Sequence, residues 1–256
     1  MWIHTSLLPF EKTMKPPKWH RDEIILALDF YHSIEPREMD SKNPKVIEVS
    51  EILNKLPIHT ERIDSVKFRN PNGVSMKLNN FKAIDPEYDG KGMDRYSKLD
   101  EEVFFEFQNN TDGLKRIAEQ IKKTISDSEL TENLYRIGDD EEEEHLKVKE
   151  GKVIYKLHKH RERNPKLNKK KKENYLKKYG KLDCEICGFD FYEIYGELGK
   201  GFMECHHKTP LSEIEGESLT SINDLALVCA NCHRMLHREL DSLSVDELKK
   251  IIKNGS

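Results

Sequence analysis

The sequence predicts an α+β protein in two parts. Residues 15–136 form a mainly helical body, and residues 148–241 form a smaller unit of a hairpin, a helix and a cysteine-held metal. Three observations predict this. Apolar residues recur at helical spacing through the first half. Strand-like Phe202-Met203-Glu204 leads into an adjacent pair, His206-His207, and His233 and His237 follow four residues apart, on one face of a helix. Four of the five cysteines fall in two C-x-x-C pairs, Cys184/Cys187 and Cys229/Cys232.

In order, Ile24, Leu28 and Tyr31, with Ile25 beside them, mark a first helix that Pro36 ends. Asn43-Pro44 supplies a cap and a first-turn proline for a helix carrying Val46, Val49, Ile52, Leu53 and Leu56. Asn70-Pro71-Asn72-Gly73 starts another, with Val74, Leu78 and Phe81 on its inner face. These two helices suggest a helix-turn-helix-like unit, whose outer face would offer Ser75, Lys77, Asn79 and Asn80 to phosphates and base edges. Residues 99–107 and 114–125 read as two more helices, the latter striped by Leu114, Ile117, Ile121 and Ile125. Residues 137–147, with six consecutive acids from Asp139 to Glu144, read as a solvated linker. Val148–Leu157 suits a strand, Arg161–Lys178 a basic helix or arm, and residues 242–256 a terminal helix or tail.

The net charge of −4 hides an asymmetry. From Lys156 to Lys178 there are eleven Lys/Arg and two acids, Glu162 and Glu173. A polyanion responds to local charge within about 8–10 Å, so Arg161, Arg163, Lys169, Lys170, Lys171 and Lys172 are candidate phosphate contacts that give affinity rather than sequence choice. No run of eighteen apolar residues suggests a membrane span, and the first nineteen residues lack a signal-peptide core, so a cytoplasmic protein is expected.

In a reducing compartment the paired cysteines favour zinc over disulfides. Each C-x-x-C turns two thiolates toward one point, and two such knuckles make a tetrahedral sulfur site. The 41 residues between them carry the histidine pair. Cys205, the fifth cysteine, reads as a small buried apolar residue. Alternation along a strand sends His206 and His207 to opposite sides, so one can bind a metal while the other faces water; the spacing is symmetric between them. His233 and His237 can reach one ion, and Asn231 is an alternative to His233.

With Glu204-Cys205-His206-His207, Pro210-Leu211-Ser212, Asn223-Asp224-Leu225 and Cys229-Ala230-Asn231-Cys232-His233-Arg234-Met235-Leu236-His237, the segment 180–240 resembles a zinc-stabilised HNH endonuclease domain of the ββα-metal type. More softly, through Trp19 with Arg21-Asp22-Glu23, Phe68–Val74, Met76-Lys77-Leu78 and Arg161–Asn164, the whole chain is similar to McrA-like restriction endonucleases, which cut modified DNA. The resemblance implies that His207 is the general base and Asn223 its orienting partner. It implies that His206, His237 and, in preference to Asn231, His233 hold a catalytic divalent ion, Mg²⁺ or else Mn²⁺, Ni²⁺ or Co²⁺. The expected substrate is double-stranded DNA. One such site cuts one strand, so a double-strand break needs a homodimer or two visits. The competing readings are a non-catalytic zinc-containing DNA-binding regulator, which would need the cysteines but not the histidine set, and a homing-type nuclease.

Overall fold

The computed structural model describes residues 17–59, 66–93, 95–137, 151–208, 221–238 and 243–254. The acidic run Asp139–Glu144 and the segment Pro210–Ser212 lie outside them. Among the described residues the fold is mostly helical, with one two-stranded sheet.

Helix α1 (Arg21–Ser33) is the centre of the first part. Its residues Ile24 to Leu28 are all buried, not only the expected face, because α2 (Pro44–Lys55), α3 (Pro71–Ile84), α4 (Lys98–Phe107) and α5 (Thr111–Ser126) all pack against it. Side-chain oxygens start each of those helices where the sequence places caps: Asn43 accepts from Lys45 N–H and Asn70 from Gly73 N–H, both at 2.9 Å. Phe81, Phe104 and Tyr31 meet in an aromatic cluster at the core. A further helix, α6 (Ser128–Arg136), follows α5.

From Lys152 onward the stretch read as a strand is helical: α7 spans Lys152–Glu162, and residues 148–150 lie outside the described residues. Val153 to His158 are buried without interruption, and a short apolar run of this kind has no periodicity to tell strand from helix. Helix α7 packs on α1, α5 and α6 and also on strand β1, so it is enclosed on several sides. Val153 and Ile154, which the sequence division places in the second part, belong to the first core. The basic helix α8 (Pro165–Tyr179) follows, capped by Asn164 and ended by Gly180 at φ +74°.

The second core surrounds the antiparallel pair β1 (Glu204–His207) and β2 (Leu225–Val228), with Glu204 opposite Val228 and His207 opposite Leu225. A short helix α9 (Phe191–Tyr195) precedes the pair, and α10 (Ala230–Arg238) and α11 (Val245–Asn254) follow it. Met203, Cys205, Leu225 to Val228, Leu236 and Leu248 are buried here. Cys205 is thus the small apolar core residue its sequence context suggests.

Candidate metal centre

The four paired cysteines converge. One Sγ of each, together with one donor atom from each of the others, lies within 4.8 Å of its fellows, and Cys187 Sγ is 3.7 Å from Cys229 Sγ. All are free thiols. The first knuckle docks on β2 through Glu185, whose N–H donates to Leu227 O at 2.8 Å while its carboxylate accepts from Leu227 N–H. Gly188, at φ +77°, makes the knuckle's turn and donates to Cys184 O. Burial opposes ionisation of Cys184, but backbone N–H groups of Cys187, Cys229 and Ile186 outweigh it and lower its pKa. Burial, followed by neighbouring sulfur, pushes Cys187 up to about 11 and Cys232 higher still. Four such thiolates need a cation to coexist, and the donor set fits Zn²⁺.

The second knuckle launches helix α10: His233 N–H donates to Cys229 O at 2.9 Å. The sulfur site thereby fixes where His233 and His237 point. Their Nε2 atoms lie 2.9 Å apart. The register of β1 brings His206 to the same place, and its ring centroid is 5.2 Å from His233 and 5.1 Å from His237. Asn231, the alternative to His233, is exposed outside this group.

Two residues of α7 that sequence reasoning passed over complete the cluster. The Glu162 carboxylate sits among the imidazoles: Oε1 is 2.9 Å from His158 Nε2, 2.8 Å from His206 Nδ1 and 3.2 Å from His233 Nε2, and Oε2 is 3.3 Å from His237 Nε2. His158 and Glu162 are four residues apart and so share a helix face. The signal was present as H-x-x-x-E, but a strand reading of the preceding residues concealed it. Glu162 is 7% exposed. Burial alone would raise its pKa, but His158, then His206 and His233, hold it well below the ordinary carboxylate value. Glu204 was also missed as a participant: its carboxylate meets His233 Nδ1 and orients the ring. That carboxylate–imidazole pairing is the usual support for a metal-bound histidine.

His207 is on the opposite side of β1 from His206, yet its ring lies 5.7 Å from that of His158. It is 3% exposed, and neither ring nitrogen has a hydrogen-bond partner. Burial, with His158 adding to it, lowers its pKa to about 4; burial likewise lowers His206 to about 4. Both are therefore neutral imidazoles. Asn223 occupies a 3-10 turn, Ile222–Asp224, leading into β2. Its backbone donates to Ser221 Oγ and its side chain is exposed, so the orienting bond to His207 expected from the resemblance is not formed here.

The expected nucleic-acid contacts fare unevenly. Lys77 is not on an outer face: it is 5% exposed and its Nζ lies 2.6 Å from Asp100 Oδ1. Asn80 also donates to Asp100, Ser75 donates to Met39 O, and Asn79 donates to Ser75 O, so all four are tied into the helical body. The reason is that α4 covers the face of α3 that helical spacing alone leaves open. On α8, Lys171 pairs with Glu185 at 3.1 Å and Lys172 donates to Gly201 O at 2.9 Å. Lys169 stands 3.9 Å from Glu173, while Lys170 and Arg163 are exposed and Arg161 is partly buried.

Residues 184–239 match the family model for the HNH endonuclease. Residues 184–239 are therefore an HNH endonuclease domain, which implies DNA-cleaving activity in general. No curated protein and no solved structure matches the chain. No helix among the described residues is long and apolar enough to cross a membrane.

Proposed function

We propose that this protein is a metal-dependent DNA endonuclease of the restriction type, whose helical N-terminal body selects modified foreign DNA for the HNH domain to cut. The observation that carries the chemistry is His207: a buried, neutral imidazole with both nitrogens unpartnered, directly beside a histidine–carboxylate cluster. Such a group is available to take the proton from a water attacking phosphorus. The P–O3′ bond then breaks, leaving a 3′-hydroxyl and a 5′-phosphate. Asn223, two residues before the partner of His207 in the sheet, would swing inward to orient that ring when DNA fills the site. A divalent ion at His206, His233 and His237 would neutralise charge on the scissile phosphate and on the leaving oxygen. Exposed Lys170 and Arg163, with Lys169, would hold the backbone, and Arg161 would do so closer to the site. Restriction of modified DNA, rather than cutting of ordinary sequence, follows the McrA-like pattern of a separate helical reader ahead of the nuclease.

The test is cleavage of matched plasmids, grown with and without cytosine methylation, in Mn²⁺, in Mg²⁺ and in EDTA. Metal-dependent cutting confined to methylated plasmid supports the full reading. Equal cutting of both plasmids removes the modification reading and keeps the nuclease. Absence of cutting on every substrate favours the regulator, which would use the zinc knuckles and basic helix alone.

A further inference from the structure

We propose that helix α7 completes the metal centre: His158 Nε2 and a Glu162 oxygen bind the same divalent ion as His206 and His237, with His233 held beside them by Glu204, and this donor set selects a transition metal over Mg²⁺. The inference deepens the nuclease reading and rests on it for the ion's purpose, though not for its binding.

The first argument is spacing. Ligands about 2.1 Å from one ion, at right angles to each other, stand about 3.0 Å apart. Glu162 stands 2.8 Å from His206, 2.9 Å from His158 and 3.3 Å from His237, and one donor atom of each of these four residues lies within 4.8 Å of the others. The second argument is direction. His158 Nε2 and His206 Nδ1 are within 3 Å of Glu162 Oε1, yet both are buried nitrogens with no hydrogen-bond partner. Atoms so close without hydrogen-bond alignment are aimed at a common point rather than at one another. The third is charge. Two carboxylates, Glu162 and Glu204, face this imidazole cluster, and one divalent cation balances them.

The donor chemistry decides the ion. Imidazole nitrogen suits Zn²⁺, Ni²⁺ and Co²⁺, whereas Mg²⁺ demands oxygen ligands and retains most of its water. A site of three imidazoles and one carboxylate therefore disfavours Mg²⁺. Helix α7 lies outside the segment that matches the HNH family model, 184–239, so these ligands come from a part of the chain that the match does not cover.

The test is direct ion binding to the full-length protein in the absence of DNA, with zinc retained in the cysteine site and confirmed at one equivalent. Co²⁺ is titrated by calorimetry and by its visible absorption, with Mn²⁺ and Mg²⁺ as competitors. Glu162→Gln and His158→Ala should each weaken Co²⁺ binding by at least the ~10–100-fold that loss of a supporting partner costs, and should alter the cobalt bands. Glu162→Asp, which keeps the charge but shortens the reach, should fall between and separates lost ligation from lost folding. Unchanged affinity and spectrum in these variants would overturn α7 as a ligand source. Tighter binding of Mg²⁺ than of Co²⁺ or Mn²⁺ would overturn the selectivity. An inert protein that still binds Co²⁺ through α7 would refute the nuclease reading alone. An active nuclease whose Glu162→Gln form binds cobalt normally would refute this one alone.

Discussion

Asp22 and Lys152, 130 residues apart in sequence, meet through a 2.6 Å hydrogen bond: the fully buried Asp22 carboxylate accepts the backbone N–H of Lys152, and that of Val153 at 3.2 Å. Asp22 belongs to the central helix of the N-terminal body, and Lys152 opens α7. The same carboxylate also meets His20 Nδ1 at 2.9 Å. Ten residues later α7 ends at Glu162, inside the metal cluster, after a rise of about 15 Å. The helix that supplies His158 and Glu162 is thus rooted in the first core and ends in the second.

This cap yields the first prediction. Asp22→Ala leaves the first N–H groups of α7 unsatisfied and should cost about 1–2 kcal/mol, read from urea midpoints; Asp22→Asn, which keeps an acceptor, should cost less. Gly151→Ala should be worse than either. Gly151 has φ +94°, and an added Cβ would sit 2.3 Å from Asp22 Oδ1. A Gly151→Ala protein as stable as the parent would show that the junction is not held as described.

The chemistry of His207 is tested separately. His207→Ala should lower the cleavage rate by about 10²–10⁴-fold, the usual contribution of a positioned base, with DNA affinity and zinc content unchanged. Cleavage at the parental rate would remove His207 from the reaction.

For the sulfur site, Cys184→Ser should release zinc and lower Tm, because a structural zinc contributes folding energy outright. Each kcal/mol lost moves Tm by about 2–4 °C in a chain of this size. EDTA should lower the Tm of the parent but not that of the variant. Equal heat resistance of parent and Cys184→Ser would end the zinc assignment.

Lys77 shows where sequence reasoning reached its limit. The caps of α2 and α3, the α5 stripe, the two cysteine knuckles and the His206/His207 strand were legible because each depends on local spacing. The burial of Lys77 was not, since it depends on α4 arriving from 23 residues away to place Asp100 against it. The strand reading before His158 failed for a related reason: uninterrupted burial of residues 153–158 comes from packing between two bodies, which erases periodicity. Glu162 was counted as an exception in a basic run, when its role comes from β1 and α10 folding over it. Lys77→Ala therefore should act on folding, leaving Asp100 buried without its partner at a cost of about 3–5 kcal/mol. The salt dependence of DNA binding should not change; a shallower salt slope in this variant would restore Lys77 as a phosphate contact.

The last prediction concerns acid. Glu23, fully buried, receives Arg69 Nε at 2.6 Å, Arg69 Nη2 at 2.8 Å and the His20 backbone N–H at 2.6 Å. Arg69 itself sits at φ +43°, an unfavourable backbone for a residue with a side chain, and donates also to Pro17 O and Lys18 O. Burial would raise the Glu23 pKa, but His59, Arg69 and the His20 N–H outweigh it and hold it below its ordinary 4.5. A carboxylate lowered on folding adds stability that is complete above its unfolded pKa and disappears as pH falls through its folded one. At pH 7, Glu23→Gln should therefore be less stable than the parent by about 3 kcal/mol, the lower end for breaking a buried pair. The gap should hold down to about pH 4.5 and close below it, as the parent's Glu23 takes up its proton. Metal-site histidines and thiolates protonate in both proteins alike, so the difference in urea midpoint isolates this pair. A gap that stays constant from pH 7 to pH 3 would mean that Glu23 is not ionised in the folded protein.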